Sequence, residues 1–242
     1  MLYLYNNTFK NTMEYFKTFW DLIFPKRCIN CGREGGYLCE DCLSLVEINP
    51  FIYCLCEKME KRSKCENCKN KNLDKLLSAT SFNNHIVKEA IHKLKYGFIE
   101  ELSIPLALLV LNHLQTINCQ IDNSFVIVPV PMHIKKKKRR GFNQSEEIAK
   151  LISESTGIKL STNLIKTKET RSQMELNRNE RIENIKNCFE IKNKIDIENK
   201  TILLFDDVYT TGTTMDECAK ILKENGAKEV WGLSVAREIN PI

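Results

Sequence analysis

From about residue 75 onward, the hydrophobic positions of the chain follow two alternating periods. Short apolar runs bounded by turn residues predict buried strands, and apolar residues three or four apart predict amphipathic helices. The predicted strands are 76–82, 125–131, 201–208 and 230–236, and the predicted helices are 85–96, 102–116, 144–156 and 214–225. This alternation is typical of an α/β domain with a mainly parallel sheet flanked by helices.

Polar residues and glycines mark the ends of the predicted helices. Asn84 precedes the first helix and Gly97 follows it, as expected for a capped start and a glycine stop. Ahead of the third helix, Asn143 and Glu146 form the pattern of a capping box, and Gly157 follows its end. These signals place helix boundaries independently of the apolar periodicity.

The composition of the chain changes near residue 75 and predicts three parts. These are an N-terminal amphipathic segment over 1–25, a cysteine-rich module over 26–75 and an α/β domain over 76–242. Apolar residues at helical spacing over 13–24 predict a short helix packed on the body of the protein. A membrane-surface helix is the alternative, and the acidic residues of this segment weigh against it.

Length and charge exclude some classes of protein. The chain has 242 residues, of which 43% are hydrophobic and 28% are charged, as in ordinary globular proteins. No run of about 18 apolar residues predicts a membrane span, and the first residues lack the apolar core of a secretory signal. We therefore expect a cytoplasmic protein. The net charge of +5 is too small to indicate a nucleic-acid partner by itself.

Eight of the eleven cysteines lie between Cys28 and Cys68, in two groups of four. Because cytosolic thiols are kept reduced, this density indicates a metal rather than disulfides. The first group consists of two CxxC pairs, formed by Cys28, Cys31, Cys39 and Cys42. This spacing predicts a zinc ribbon with four thiolate ligands, and redox-active CxxC pairs are the alternative.

The second group has a less regular spacing. It consists of Cys54, Cys56, Cys65 and Cys68, and its first pair is CxC rather than CxxC. These four cysteines are candidate ligands of a second, structural zinc. Whether Cys54 and Cys56 both bind, and whether the two groups share ligands, stays open.

The segment ILLFDDVYTTGTT at 202–214 carries the strongest signal for function. An apolar strand delivers Asp206 and Asp207 at its carboxyl end, and a threonine- and glycine-rich loop then opens into a helix. The N–H groups, hydroxyls and dipole of such a loop favour a phosphate, and adjacent carboxylates suit sugar hydroxyls or a magnesium-bound ligand. Ligands of open α/β sheets bind beyond the carboxyl ends of strands. An ordinary strand–turn–helix junction is the alternative.

Six consecutive cations, KKKKRR at 135–140, form a second candidate binding segment. They could neutralise a diphosphate, or they could follow a single-stranded nucleic-acid backbone while Phe142 stacks on a base. A merely solvated charged loop is the third interpretation.

These motifs together resemble one family. The segment 202–214 is similar to the phosphoribosyl pyrophosphate (PRPP) motif of type I phosphoribosyltransferases. The cysteine pairs, LKYGF at 94–98, VPVPMHIKKKKRRGFNQ at 128–144 and TKETRSQMELNRNERIENIKNCF at 167–189 resemble the ComF family of competence-associated proteins. The likeness extends over about residues 22–237. The CxC pair departs from the CxxC that is usual in the family.

The resemblance implies a type I phosphoribosyltransferase fold preceded by a small zinc-ribbon module, and a site for PRPP with magnesium. Asp206 and Asp207 would contact the ribose hydroxyls and favour an oxocarbenium-like transition state. The residues implied to bind the 5-phosphate and the diphosphate are Thr210, Thr211, Gly212, Thr213 and Thr214, and Pro129, Val130, Pro131 and Arg140, respectively. Residues 167–182 would form a mobile hood that excludes water.

The resemblance also implies a biological role. That role is the cytosolic handling of single-stranded DNA during natural transformation, with DNA-uptake proteins such as a competence helicase as partners. Two classes of function stay open: a phosphoribosyltransferase with an unknown acceptor, and a non-catalytic zinc-containing scaffold that binds DNA or proteins and only senses PRPP.

Overall fold

The computed structural model describes residues 24–55, 68–170 and 178–238. The helix predicted over 13–24 lies outside these residues, apart from its last position. The chain divides into two compact units, with the boundary between Leu45 and Val46. The division near residue 75 stays a prediction about which segments fold on their own. Among the described helices, none has the length and apolar character needed to span a membrane.

Over residues 24–45, the first unit consists of tight turns and one short helix. Helix α1 (Glu40–Ser44) carries Cys42 on its buried side. Near Cys28, the N–H of Gly32 donates to the Cys28 carbonyl (2.9 Å), and Gly32 has φ +75°, which glycine adopts without strain. Among residues 24–45, only the side chains of Cys28 and Cys42 are buried. The described part of this unit therefore has almost no apolar core.

The second unit is organised around a six-stranded sheet. Its strands, with those of a separate two-stranded ribbon, are β1 (Ile52–Tyr53), β2 (Lys75–Ser81), β3 (Phe125–Pro129), β4 (Lys159–Leu160), β5 (Leu164–Lys166), β6 (Phe189–Ile191), β7 (Thr201–Tyr209) and β8 (Glu229–Arg237). The order of the sheet is β1-β2-β8-β7-β3-β4, and only β1 runs antiparallel to its neighbour. Strands β5 and β6 form the antiparallel ribbon. The predicted mainly parallel sheet is confirmed.

Helices cover both faces of this sheet. They are α2 (His85–Tyr96), α3 (Ser103–Thr116), α4 (Ile134–Arg140), α5 (Gln144–Thr156), α6 (Arg178–Ile185) and α7 (Thr213–Glu224), and a 3₁₀ turn (Glu100–Leu102) precedes α3. Consecutive residues of β7, such as Leu203 and Leu204, are fully buried although they face opposite ways. A continuously apolar strand is expected when both faces are covered.

The predicted helix boundaries agree with the structure, but one predicted cap does not. Asn84 Oδ1 accepts hydrogen bonds from the N–H groups of Ile86 (3.0 Å) and Val87 (3.2 Å). The capping box ahead of α5 is wrong. Asn143 instead donates from Nδ2 to the Val130 carbonyl (3.2 Å), and Glu146 pairs with a lysine of α4. Tertiary partners outcompete the local cap at this position.

Candidate functional site

Strand β7 delivers two consecutive carboxylates to the carboxyl edge of the sheet. Because successive side chains of a strand point to opposite faces, Asp206 and Asp207 have different neighbours. Ser145 Oγ, at the start of α5, donates to Asp206 Oδ1 (2.8 Å). Asp207 instead meets Lys95 of α2, whose Nζ lies 2.7 Å from Asp207 Oδ2. The edge therefore presents two carboxylates in two distinct environments.

The environment of Asp206 opposes its ionisation. Desolvation, followed by repulsion from the Asp207 carboxylate, raises the pKa of Asp206 to about 7. The ammonium of Lys95, the hydroxyl of Ser145 and the N–H of Asp207, which donates to Asp206 Oδ1 (2.9 Å), partly oppose this rise. Asp206 therefore changes its charge near neutral pH.

The loop between β7 and α7 consists of Thr210, Thr211 and Gly212, and the predicted residues Thr213 and Thr214 are the first two of α7. Gly212 has φ +71°, and a Cβ at this position would lie 2.5 Å from Cζ of Tyr209. Both the conformation and the space therefore require glycine. The hydroxyls of Thr211 and Thr213 lie 2.7 Å apart, and no side chain caps α7 within the described part of the chain. The N–H groups of its first turn suit an anion.

The turn after β3 lies beside β7. The N–H of Val130 donates to the Phe205 carbonyl (2.8 Å), which extends the pairing of the two strands by one residue. Pro129 ends β3, and the chain continues through Pro131 toward α4. These three residues of the turn therefore lie at the same sheet edge as the two carboxylates.

The basic run forms helix α4, and its cations differ in their surroundings. Arg140 is buried, donates from Nη1 to Gln144 Oε1 (2.7 Å) and lies 5.5 Å from the centre of the Tyr96 ring. Lys136 precedes Arg140 by one turn, so both lie on one face of the helix. The pKa of Lys136 is lowered by desolvation and then by repulsion from Arg140, Lys166 and Lys95. This face of α4 therefore adds positive charge to the site.

The other four cations of α4 differ in whether they are paired. Lys135 pairs with Glu169 (2.9 Å), and Lys137 pairs with Glu146 (2.6 Å). The remaining two, Lys138 and Arg139, are exposed and make no ion pair within residues 24–55, 68–170 and 178–238. They are therefore open to a polyanion.

Phe142 lacks the exposure that stacking on a base requires. Its side chain is only 8% exposed, so the interpretation of Phe142 as a stacking residue is wrong. Burial of a large aromatic ring stabilises the folded state more than its exposure to water does. Tyr96, beside Arg140, and Phe98 are the exposed aromatic residues of this region.

The four cysteines of the first group converge as the sequence predicts. The sulfur atoms of Cys28, Cys31, Cys39 and Cys42 all lie within 4.8 Å of one another, which fits four thiolates around one zinc ion. Burial would raise the pKa of the Cys28 thiol, but N–H groups of Cys31, Cys39 and Asn30 donate to its sulfur and lower the pKa to about 6. The thiolate form that a metal requires is therefore favoured at this position.

Only half of the second cysteine group can be located. Cys54 and Cys68 are buried, and their sulfur atoms lie 3.6 Å apart. Cys56 and Cys65 lie outside the described residues. A second zinc at this group stays a prediction.

Comparison with known proteins identifies the family. Residues 99–236 match the family described as "Phosphoribosyl transferase domain". Competence protein ComFC of Streptococcus pneumoniae is 30% identical to this chain over 230 residues, which cover 93% of this chain and 96% of that protein. This chain belongs to the ComF family.

Two further relatives extend the comparison of this ComF chain. Competence protein F of Haemophilus influenzae is 29% identical over 230 residues, with 88% of this chain and 98% of that protein covered. DNA utilization protein YhgH of Escherichia coli is 32% identical over 150 residues, with 59% and 64% covered, respectively. The family resemblance inferred from the motifs is thereby confirmed.

The predicted hood of this ComF chain is described in part. Residues 167–170 continue from β5 and α6 leads into β6, whereas residues 171–177 lie outside the described residues. Lys166, the last residue of β5, donates from Nζ to Thr170 Oγ1 (2.7 Å). Its pKa is lowered by desolvation, while attraction to Cys188, Cys218 and Asp206 raises it.

Three residues near the carboxylates escaped the sequence analysis of this ComF chain. They are Lys95, Ser145 and Lys166. Of the three, only Lys95 lies in a motif of the sequence, LKYGF at 94–98. That motif indicated the family but assigned no role to Lys95.

Proposed function

We propose that this chain binds PRPP with magnesium at the carboxyl edge of its sheet. The observation that carries the proposal is the juxtaposition of Asp206 and Asp207 with the uncapped start of α7 at Gly212. Sugar hydroxyls donate to carboxylates, and a helix start offers N–H groups to a phosphate. A sugar phosphate satisfies both requirements within one molecule.

Each part of PRPP has candidate partners in this arrangement. The ribose hydroxyls would donate to Asp206 and Asp207, and the 5-phosphate would lie in the threonine- and glycine-rich loop before α7. The diphosphate would lie beside Val130, close to the positive charges of Lys136 and Arg140. Magnesium, when bound, would neutralise part of the diphosphate charge.

Phosphoribosyl transfer is the reaction that these groups suit. It breaks the bond between ribose C1 and a diphosphate oxygen, so positive charge develops on the ribose and negative charge on the leaving diphosphate. The carboxylates of β7 would stabilise the first charge, and the cations of α4 the second. Release of pyrophosphate from PRPP across a panel of bases and amines separates a transferase from a non-catalytic PRPP sensor.

We further propose that the chain handles single-stranded DNA in the cytoplasm during natural transformation, together with DNA-uptake proteins such as a helicase. The names of its relatives speak of competence and of DNA utilization. The exposed cations Lys138 and Arg139 support this role, because a polyanion gains affinity from unpaired basic side chains. The first unit would contribute a structural zinc at Cys28, Cys31, Cys39 and Cys42.

Binding of PRPP is tested best by thermal unfolding with and without PRPP and magnesium. A hundredfold excess over the dissociation constant stabilises the folded state by about 2.7 kcal/mol, or about 5–10 °C for a domain of this size. We expect this shift for the wild type, a smaller one for Asp207→Asn, and none for Gly212→Ala, whose Cβ would collide with Tyr209.

Gly157→Ala is the matched control for backbone strain. Gly157 has φ +75°, close to that of Gly212, but a Cβ there would meet no atom within 4 Å. Both variants lose stability through the left-handed conformation, and only Gly212→Ala should lose the PRPP shift. A shift that is absent in the wild type, or equal in all four proteins, would contradict the proposal.

A further inference from the structure

Lys95 forms an ion pair with one of the two carboxylates at the proposed PRPP site. Its Nζ lies 2.7 Å from Asp207 Oδ2, and the Asp207 side chain is only 5% exposed. Lys95 itself is 22% exposed, because it reaches the pair from the last turn of α2. The lysine is thus the more accessible partner of the pair, and its long side chain can turn without any movement of the sheet.

The positive charges around this pair exceed the negative ones. Lys136 and Arg140 from α4 and Lys166 from β5 approach the same region, since Lys136 is repelled by Arg140, Lys166 and Lys95 at once. Lys95 lies in contact with Asp207, and Lys136 and Arg140 are attracted electrostatically by the same carboxylate. Lys166 is attracted by Asp206, so four cations from three elements act on the two carboxylates of β7. Such a surplus suits a ligand that brings several negative charges of its own.

We propose that Lys95 is a displaceable counter-ion that holds Asp207 in the free protein and binds the diphosphate of PRPP once the ribose hydroxyls take its place on Asp207. This inference rests on the proposed function of the site. It assigns to the LKYGF segment a binding role that couples the two ends of the ligand.

The exchange follows from the charges in the site. A buried carboxylate without a partner is costly, so Asp207 needs Lys95 when the site is empty. Ribose hydroxyls donate to the same carboxylate, and the released ammonium then lies close to Lys136 and Arg140, where a diphosphate would neutralise all three cations. A ligand that has the ribose but lacks the diphosphate provides no anionic partner for the displaced Lys95 ammonium.

The test compares three ligands by isothermal titration calorimetry with the full chain. PRPP with magnesium carries ribose and diphosphate, ribose 5-phosphate lacks the diphosphate, and pyrophosphate with magnesium lacks the ribose. Lys95→Gln removes the charge but leaves an amide that can donate to Asp207. Lys93→Gln is the matched control, because Lys93 lies on the same helix and pairs only weakly, at 3.7 Å, with Glu89.

We expect Lys95→Gln to weaken PRPP binding by about tenfold or more, as for a lost charged contact. The affinities for ribose 5-phosphate and for pyrophosphate should change by less than about twofold, because each of these ligands carries only one half of the exchange. Retained binding of ribose 5-phosphate also shows that the variant is folded. Lys95→Arg, which keeps the charge, should recover part of the PRPP affinity, and Lys93→Gln should match the wild type.

Two outcomes would overturn the inference. Equal weakening of PRPP and ribose 5-phosphate would mean that Lys95 only positions Asp207, and unchanged PRPP affinity would mean that Lys95 has no role in binding. If the wild type binds none of the three ligands, the proposed function fails and the inference fails with it.

Discussion

Asp206 links proton binding to folding at the scale of a single residue. Its pKa is about 7 in the folded chain, against an ordinary value of 3.8. Below about pH 4 the carboxyl is protonated in both states. Between pH 4 and pH 7 the unfolded chain loses this proton while the folded chain keeps it, so the free energy of unfolding falls as the pH rises.

Asp206→Asn should remove this pH dependence. The asparagine Oδ1 can still accept from Ser145, and it carries no charge to desolvate. We expect the variant to unfold at least about 2–4 °C above the wild type at pH 8, which is about 1 kcal/mol for a domain of this size, and to lose this advantage below pH 4. Thermal unfolding across this pH range measures the difference, and a gap that stays constant with pH would contradict the assignment.

Neighbours within one segment can be predicted from the sequence, whereas the contact between Lys95 and Asp207 cannot. Asp206, Asp207 and Gly212 follow one another across a strand end, so their proximity is local and predictable. Lys95 reaches Asp207 only because α2 ends at the same edge of the sheet. Nothing in a lone lysine at the end of an amphipathic helix distinguishes it from a solvated one.

At the scale of an element, helix α4 carries two sets of cations for which we propose different ligands. Lys136 and Arg140 lie on the face of α4 whose charge acts on Asp207. Lys138 and Arg139 are exposed, as Lys136 is, but they lie off this face. The sequence showed six equivalent cations, because a run of like charges does not disclose its secondary structure. The two proposed ligands, PRPP and DNA, would therefore use different side chains of this helix.

Substitution of each set should affect a different ligand. Lys138→Gln with Arg139→Gln should flatten the log–log salt dependence of single-stranded DNA binding by about 1.4, since each neutralised phosphate contributes about 0.7. Lys136→Gln should weaken PRPP binding and change the slope for DNA by no more than about 0.7, the value for one phosphate contact. Fluorescence anisotropy from low to physiological salt measures the slopes, and a double variant that follows the wild-type line would refute the DNA role of α4.

Local signals predicted the elements well where no tertiary contact competes with them. Asn84 caps α2 as its sequence position indicates. Asn143 likewise stands at the N-cap position, that of α5, yet its side-chain amide donates to the Val130 carbonyl in the turn after β3. The burial of Phe142 was likewise not predictable from local signals. It depends on the packing of the whole unit and not on the polar residues next to Phe142 in the sequence.

At the scale of the whole molecule, the two compact units differ in what stabilises them. The second unit buries continuous apolar strands on both faces of its sheet. In the first unit, Cys28 and Cys42 are the only buried residues between 24 and 45. A zinc ion held by the four cysteines would supply most of the folding free energy of such a unit, since zinc binding contributes about 10–16 kcal/mol in small zinc-binding peptides.

Cys31→Ser should therefore unfold the first unit and spare the second. The Cys31 sulfur lies 3.6 Å from that of Cys39, so the substitution removes one of four converging ligands. We expect elemental analysis to show at least one equivalent of zinc in the wild type and about one fewer in the variant, with rapid tryptic cleavage after Arg27 and Arg33. The main thermal transition should stay within a few degrees of the wild type, because the sheet has its own core.

Cys119→Ser, at a half-buried cysteine of the second unit, is the matched control and should keep its zinc. A wild type with less than half an equivalent of zinc, or a Cys31→Ser chain that resists trypsin like the wild type, would show that the four thiols do not hold this unit together.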